Sequence, residues 1–202
     1  MTQVGERLLE LGCQTVLCLD GGGSTNLAVT TPDSTAATII NRPSETGRKV
    51  TNQVFLVASD RSSGRLDHFY VNAAGDYVLA GSAVSVTASG VDSNYIPMDA
   101  SYTLSASTGS IAEQEDGRYL LTTPASGGDI TVTAKGSTVV HAIRNPDNLT
   151  LKNGASNLTE LTVTPGSKTA LTAGAVWNHL PLTATNEAFT WSVSGDIGTV
   201  DK

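Results

Sequence analysis

The spacing of apolar and polar residues changes once along the chain, near residue 66. Before that point, Val4, Leu8 and Leu11 recur at helical spacing, and Gly12 follows where such a helix would end. Short apolar runs then predict strands at 16–19, 26–30, 36–44 and 50–59, with a glycine-rich turn between the first two. This pattern predicts one helix followed by short strands in residues 1–59.

From residue 66 onward, apolar and polar residues alternate and turn residues recur every eight to twelve positions. This pattern is typical of a β-sandwich. "LDHFYV" predicts its first strand and "GDITVTAKGSTVVHAI" its last two. The sequence therefore predicts an immunoglobulin-like sandwich over residues 66–146, and the polar residues 60–65 have the composition of a linker.

Residues 147–202 repeat the pattern of this sandwich. "GSAVSVTASGVD" aligns with "GSKTALTAGAVW", and "YTLSASTGSIAEQ" aligns with "FTWSVSGDIGTVD". A repeat of this length indicates domain duplication, so we expect a second immunoglobulin-like sandwich, truncated before its closing strands. Trp191 is expected to be its core tryptophan, although Trp177 and Trp191 could instead form a face that stacks on sugars. The expected fold class is mainly β, with a partial α+β catalytic-domain segment followed by the sandwiches.

Composition narrows the set of partners and locations. The net charge is −7 and the 12 basic residues are scattered, which argues against nucleic acid or an anionic membrane surface. No apolar run reaches the roughly 18 residues of a membrane helix, so we expect no membrane insertion. Only 15% of residues are charged, and the many Thr, Ser, Ala, Val and Gly residues are common in extracellular β-domains. We expect an extracellular or cell-surface protein, of which this chain, without a signal peptide, is a fragment.

The stretch "VLCLDGGGSTNLAV" places chemical groups at the end of a predicted strand. Three successive glycines, Gly21, Gly22 and Gly23, can turn their N–H groups into one anion-binding concavity. Asp20 would stand at its rim, and Ser24 and Thr25 would add hydroxyl groups. The pattern is neither a phosphate-binding loop of the Gly-Lys-Ser/Thr type nor a dinucleotide fingerprint. A plain hairpin with a glycine tip is the alternative.

A second cluster lies in "NRPSETGRKVTN", which carries Asn41, Arg42 and Arg48. Arginine is the usual partner of phosphate and carboxylate groups, because its planar guanidinium can donate two parallel hydrogen bonds. An anion cradle together with two arginines predicts a site for a phosphate-bearing substrate. The alternative is that both arginines are solvated loop charges.

The two motifs in this order, "LDGGGSTNLAV" and "IINRPSETGRKVTNQVFLV", resemble the C-terminal part of the phosphodiester glycosidase family. The resemblance covers about residues 1–59, and the remainder resembles bacterial immunoglobulin-like domains. It implies hydrolysis of a sugar-1-phosphodiester such as an N-acetylglucosamine-1-phosphodiester. It implies Asp20 as the catalytic residue, and the implied substrate-binding residues are Gly21, Gly22, Gly23, Ser24, Thr25, Asn41, Arg42 and Arg48.

The resemblance also sets expectations about what the chain needs. Asp20 could stabilise an oxocarbenium-like centre, act as a base or hold a divalent metal near it, and no other cofactor is expected. Sugar hydrolases usually use two carboxylates, and Glu45 is expected to be a solvated loop acid. We therefore expect the chain to be inactive alone. The expected partner is a carbohydrate phosphodiester or a cell-surface glycan. The alternative function is a non-catalytic glycan-binding module or adhesin spacer.

Overall fold

A computed structural model describes residues 2–14, 22–23, 25–41, 44–45, 54–55, 57, 61–154, 156–195 and 198–200. The chain divides into two compact units, residues 1–59 and 60–202. The predicted mainly-β class is confirmed, because strands far outnumber helices. Within the described residues, the single α-helix is too short and too polar to span a membrane.

The first unit contains helix α1 (Thr2–Glu10) and strands β1 (Ala28–Val29) and β2 (Thr38–Ile39). The helix ends where the sequence predicted. Gly12 has a φ of 85°, a left-handed conformation that glycine adopts without steric cost. Its N–H donates to the Leu9 carbonyl and the Cys13 N–H donates to the Leu8 carbonyl. This is the Schellman arrangement, which satisfies the last carbonyls of a helix.

Two other strands were predicted in the first unit, at residues 16–19 and 50–59. Residues 16–19 lie outside the described residues. The strand predicted at 50–59 is described only at Val54, Phe55 and Val57, which belong to no strand and are 75–82% exposed. Alternating apolar residues form a strand only where a neighbouring strand pairs with them, and no such pairing is present at these three residues.

The second unit is built from thirteen strands within its described residues. These are β3 (Leu66–Ala73), β4 (Tyr77–Leu79), β5 (Ala83–Asp92), β6 (Pro97–Met98), β7 (Ser105–Ala106), β8 (Ser110–Glu113), β9 (Tyr119–Thr122), β10 (Gly128–Thr133), β11 (Ser137–Ile143), β12 (Asn148–Asn153), β13 (Ser156–Leu158), β14 (Thr172–Trp177) and β15 (Leu180–Pro181). A 3₁₀-helix follows at Asn186–Ala188.

Strands β3 to β11 form a two-sheet sandwich. One sheet has the order β3-β5-β9-β8, with β6 also paired to β5, and the other has the order β4-β11-β10-β7. All pairs are antiparallel except β4 with β11. If β4 and β6 are set aside, the seven other strands can be lettered A to G in chain order. The two sheets then have the orders A-B-E-D and C-F-G, which are the orders in a constant-type immunoglobulin sandwich.

The core lies between these two sheets. Alternate residues of β3, β5 and β9 face alternate residues of β10 and β11, as half-buried strands require. The two sheets also meet where the β10–β11 turn passes over β3, since the Phe69 N–H donates to the Lys135 carbonyl. A side chain at Gly136 would collide with the Phe69 carbonyl, so this turn needs glycine. The buried apolar residues of this core are Phe69, Val71, Ala73, Val78, Val84, Val86, Leu104, Tyr119, Leu121, Ile130, Val132, Ala134, Val140 and Ala142.

The polar residues before β3 are attached to the sandwich through the carboxylate of Asp92, which is fully buried at the end of β5. It accepts hydrogen bonds from the backbone N–H groups of Ser63 (2.6 Å), Asn94 (2.8 Å) and Ile96 (3.0 Å). Burial opposes ionisation and raises the pKa of this carboxyl. The hydrogen bonds from Ile96, Ser63 and Asn94, with one from Ser62, outweigh burial and lower the pKa from 3.8 to about 2.

A third sheet follows the sandwich, with the order β13-β12-β14-β15. It packs against the end of the sandwich, where Leu79 of β4 joins Ala175, Leu182 and Phe189 in a second buried cluster. The backbone N–H groups of Leu79 and Thr183 donate to the Thr183 and Tyr77 carbonyls, respectively. The sandwich therefore supplies part of the core beneath this sheet.

Trp191 differs from its prediction as a core residue of a strand. It is only partly buried and belongs to no strand. Its indole N–H donates to the Asn186 carbonyl at 3.2 Å, and its ring lies edge-on to that of Phe189. Trp177 stacks on Tyr77, whose ring also stacks on His141, with centroids 5.6 and 5.0 Å apart.

Candidate functional site

The β1–β2 hairpin determines which residues of the first unit meet. Ala28 pairs with Ile39 and Val29 with Thr38 in an antiparallel ladder. The Ile40 N–H donates to the Leu27 carbonyl at 2.9 Å, which extends this pairing by one step. Because the strands run antiparallel, the residue that follows this step, number 41, lies beside residues 25–27. The hairpin thus brings the Asn-Arg-Pro segment back to the strand that leaves the glycine turn.

Asn41 joins the two segments with its side chain. Its Oδ1 accepts a hydrogen bond from the Leu27 N–H at 2.7 Å, and its Nδ2 donates to the Thr25 carbonyl at 2.6 Å. One amide side chain therefore satisfies a donor and an acceptor of the opposite backbone, as the next residue pair of a β-ladder would do. Both polar ends of Asn41 are used in holding the strand that follows the glycine turn.

Gly23 is the second point of contact between the motifs. Its carbonyl accepts a hydrogen bond from the Glu45 N–H at 2.9 Å. A Cβ at this position would lie 2.5 Å from Ser44 Oγ and 3.1 Å from Glu45 Cγ, closer than side-chain atoms normally approach. Only glycine therefore fits here while Ser44 and Glu45 keep their positions. This close approach of two chain segments gives one of the three glycines a packing role.

Gly22 is different, although it is the neighbouring residue. Its carbonyl accepts a hydrogen bond from the Thr25 N–H at 3.1 Å, which closes a four-residue turn. It is exposed, and a Cβ built on it would meet no atom within 4 Å. Steric exclusion therefore does not account for glycine at this position. Gly22 is therefore accessible to a ligand.

The structure places some of the sequence-predicted site residues and not others. Gly22, Gly23, Thr25 and Asn41 are described and lie within one hydrogen-bonded arrangement. The other candidates lie outside the described residues, and they are Asp20, Gly21, Ser24, Arg42 and Arg48. The juxtaposition of the glycine turn with the Asn-Arg-Pro segment therefore rests on Asn41, Ser44 and Glu45, which flank Arg42 and Pro43.

Two residues at this contact were not predicted as site residues. Ser44 fills the space above Gly23, and Glu45 bonds to it through its backbone N–H. Glu45 was expected to be a solvated acid, and its side chain is indeed exposed. The hydrogen bond is made by main-chain atoms, so the residue type at position 45 gives almost no signal for it. The available signal was position, since Ser44 and Glu45 immediately follow the Asn-Arg-Pro segment.

Within the described part of the chain, no three His, Cys, Asp or Glu side chains form a group that could hold a metal ion. Asp20, near which a divalent metal was considered, lies outside that part. The described residues of the site offer backbone N–H groups, carbonyls, the Thr25 hydroxyl and the Asn41 amide. The N–H and hydroxyl groups can donate hydrogen bonds to an anion, and the carbonyl groups can accept hydrogen bonds from the hydroxyl groups of a ligand.

Comparison with known proteins bears on the same segment. Residues 1–57 match the model of the phosphodiester glycosidase family. The resemblance seen in the two motifs is thus supported over nearly the whole first unit. No curated protein and no solved structure matches the chain. The match ends before the sandwich begins.

Proposed function

We propose that residues 1–59 are the C-terminal segment of a phosphodiester glycosidase domain that hydrolyses a sugar-1-phosphodiester, such as an N-acetylglucosamine-1-phosphodiester. The following β-sandwiches would present this domain at the cell surface or outside the cell. The observation that carries the proposal is the Asn41 bridge to Thr25 and Leu27, because it joins the two motifs within the segment that matches the family.

The proposed chemistry follows from the groups that the two motifs contribute. Water adds to the anomeric carbon of the sugar as the bond from that carbon to the phosphate oxygen breaks. The products are the free sugar and a phosphate monoester, and one proton is released to solvent or to a base. The leaving phosphate carries its own negative charge, so it needs neutralisation more than protonation. Backbone N–H groups of the glycine turn and the arginines at 42 and 48 would supply it.

Asn41 would act on this site by positioning. Both ends of its amide are engaged with backbone, which fixes the orientation of its side chain. By fixing residues 25–27, it would hold the glycine turn in a constant orientation toward Arg42, its neighbour in sequence. Orientation of charge-stabilising groups before the reaction is the largest source of rate enhancement in many hydrolases.

The first unit would not be active without further polypeptide. Among its described residues none is buried, and Leu27, Ile39 and Ile40 are 53–58% exposed. A folded catalytic domain buries such residues in its core. We therefore propose that additional strands cover these residues and supply the second carboxylate that glycoside hydrolysis usually needs.

A binding experiment tests the site on the chain as it exists. Titration with the methyl phosphodiester of N-acetylglucosamine-1-phosphate, followed by amide NMR, should shift the signals of Gly22, Gly23 and Thr25. Substitution of Arg42→Gln should weaken the binding, whereas Arg7→Gln, on the exposed face of α1, should not. Binding that is equal in both variants, or absent at millimolar ligand, would refute the anion site.

Catalysis requires a second measurement. The same diester should be turned over when the chain is preceded by the remainder of a phosphodiester glycosidase domain, and the chain alone should show no turnover. Equal rates from the two proteins would contradict the proposed need for additional strands. Failure of the longer protein on every sugar-1-phosphodiester would leave the non-catalytic alternative, a glycan-binding or spacer protein.

A further inference from the structure

Three strands of the third sheet pair in the same way as three strands of the first sheet of the sandwich. Residues 81–92 align with 166–177, a shift of 85 residues. Under this shift β14 corresponds to β5, and β12 takes the place of β3. Residues of β5 and β14 that are related by the shift of 85 have corresponding partners: Val91 pairs with Pro97 and Val176 with Pro181, Gly90 with Phe69 and Ala175 with Leu149, and Ala88 with Val71 and Ala173 with Leu151. The partners on β12 are therefore shifted by 80 residues and Pro181 by 84.

Equivalent residues nevertheless differ greatly in exposure. Phe69 and Val71 on β3 are 7% and 6% exposed, whereas Leu149 and Leu151 on β12 are 58% and 38% exposed. Exposure differs in the same way for the residues that precede β5 and β14. Val78 is fully buried, and Val163, its counterpart under the shift of 85, is 50% exposed. Apolar residues thus stand at corresponding positions that are buried in the sandwich and exposed in the segment that follows it.

The first sandwich shows what covers these positions. Phe69, Val71 and Val78 share one buried cluster with Ile130 and Val132 of β10 and with β11 residues. Strands β10 and β11 form an antiparallel hairpin whose buried inward residues, Ile130, Val132, Val140 and Ala142, are apolar. The described part of the third sheet has no hairpin in this place.

A second observation concerns the length of β14. Strand β5 begins at Ala83, and its first four residues, 83–86, pair with β9. The equivalent residues 168–171 belong to no strand, and β14 begins only at Thr172. The missing part of β14 is therefore the part that a β9-like partner would pair with. Side-chain exposure and strand length both indicate the same absent neighbour.

We propose that the face of β12 that carries Leu149 and Leu151 is a docking surface for one three-strand segment with the pattern of residues 119–143. Its hairpin would cover the open apolar face, and its first strand would pair with residues 168–171. Such a partner would have alternating apolar residues that cover this face and a strand that forms backbone hydrogen bonds with residues 168–171, as in strand addition to an exposed sheet.

The experiment supplies this partner from the chain itself. A copy of residues 115–144, which carry β9, β10 and β11, is appended after Lys202. Amide exchange should slow by at least about tenfold at residues 168–171 and at Leu149 and Leu151. Exchange at Ile130 and Val132 of the original sandwich should stay unchanged, which excludes replacement of its own strands.

The matched control carries Ile130→Asp and Val132→Asp in the appended copy only. It has the same length and turns but cannot cover an apolar face, so it should leave exchange as it is in the unmodified chain. Two results would overturn the proposal. One is equal exchange in the extended protein and its control. The other is a dimer of the unmodified chain that Leu149→Asp dissociates, because the face would then be occupied by a second copy.

Discussion

The side-chain oxygen of Asn41 lies 2.7 Å from the backbone nitrogen of Leu27. Together with the Nδ2 bond to the Thr25 carbonyl, this contact replaces a step of the β1–β2 ladder. Substitution Asn41→Ala removes both bonds, and we expect a loss of about 1 kcal/mol for each. Amide exchange at Leu27 should accelerate by about tenfold or more, since 1.4 kcal/mol corresponds to a factor of ten.

The variant Asn41→Asp separates the two bonds. A carboxylate still accepts from the Leu27 N–H but cannot donate to the Thr25 carbonyl. Leu27 should therefore remain protected while the orientation of residue 25 is lost, and phosphodiester affinity should fall in both variants. Unchanged exchange in Asn41→Ala would show that the bridge does not form in solution.

Gly22 and Gly23 provide a matched pair for the glycine turn. Alanine at 23 would place its Cβ 2.5 Å from Ser44 Oγ, so Ser44 must move and the Glu45–Gly23 hydrogen bond is disturbed. We expect a cost of roughly 1 kcal/mol, as for modest overpacking, and faster amide exchange at Glu45. Alanine at 22 meets nothing within 4 Å and should leave that exchange unchanged.

Adding Ser44→Ala to Gly23→Ala removes the closest atom and should recover part of the loss. This non-additivity identifies the contact between residues 23 and 44 as the cause. If Gly22→Ala and Gly23→Ala slow or accelerate exchange equally, the effect belongs to backbone freedom and the packing argument is wrong.

Asp92 should make the stability of the sandwich decrease at acid pH. Its pKa in the folded protein is about 2, below the value of about 3.9 for an unfolded chain. A lowered pKa stabilises the fold above the unfolded pKa, and this contribution is lost as the pH falls from about 4 through 2. Denaturant titrations of the parent protein and Asp92→Asn should therefore differ at pH 7 and converge toward pH 2.

The same variant should release the segment before β3. Ser63 and Asn94 attach this segment to the sandwich, since Asn94 Nδ2 also donates to the Arg61 carbonyl at 2.8 Å. In Asp92→Asn, trypsin should cleave after Arg61 and Arg65 several times faster. The control is Asp67→Asn, because Asp67 is exposed and pairs only locally with His68. Equal cleavage in both variants would contradict the role of Asp92.

Much of the sandwich could be predicted from the sequence because its period-two alternation is local. The strands at 66–73, 128–133 and 137–143 follow directly from it. The end of α1 was predictable for a similar reason, since a glycine stop acts within a few residues. In the first unit the order of the two motifs indicated a site, but not its internal contacts.

The remaining features depend on contacts between distant residues. The Asn41 bridge joins positions 14 and 16 residues apart, and side-chain direction at that distance is not encoded in a local pattern. The carboxylate of Asp92 accepts a hydrogen bond from the backbone N–H of Ser63, 29 positions earlier. Trp191 has the pattern of a strand residue, yet it lies in no strand. A sequence pattern indicates which contacts a residue could make, and the contacts that form depend on the fold.

Phe69 and Leu149 occupy corresponding positions, and substituting each tests whether they contribute differently to the free energy of unfolding. Phe69 packs against Tyr102 and the buried core of the sandwich, so Phe69→Ala should cost about 3–5 kcal/mol, the range for large-to-small changes in a core. This is a large part of the 5–15 kcal/mol that stabilises a typical domain. Leu149 is 58% exposed, so Leu149→Ala should change the free energy of unfolding by no more than about 0.5 kcal/mol. Urea denaturation of the two variants, followed by tryptophan fluorescence and by circular dichroism, measures both values.

A loss for Leu149→Ala that approaches the loss for Phe69→Ala would mean that Leu149 is buried in solution. The open face of the third sheet would then already be covered, and a dependence of that loss on protein concentration would identify a second copy of the chain as the cover.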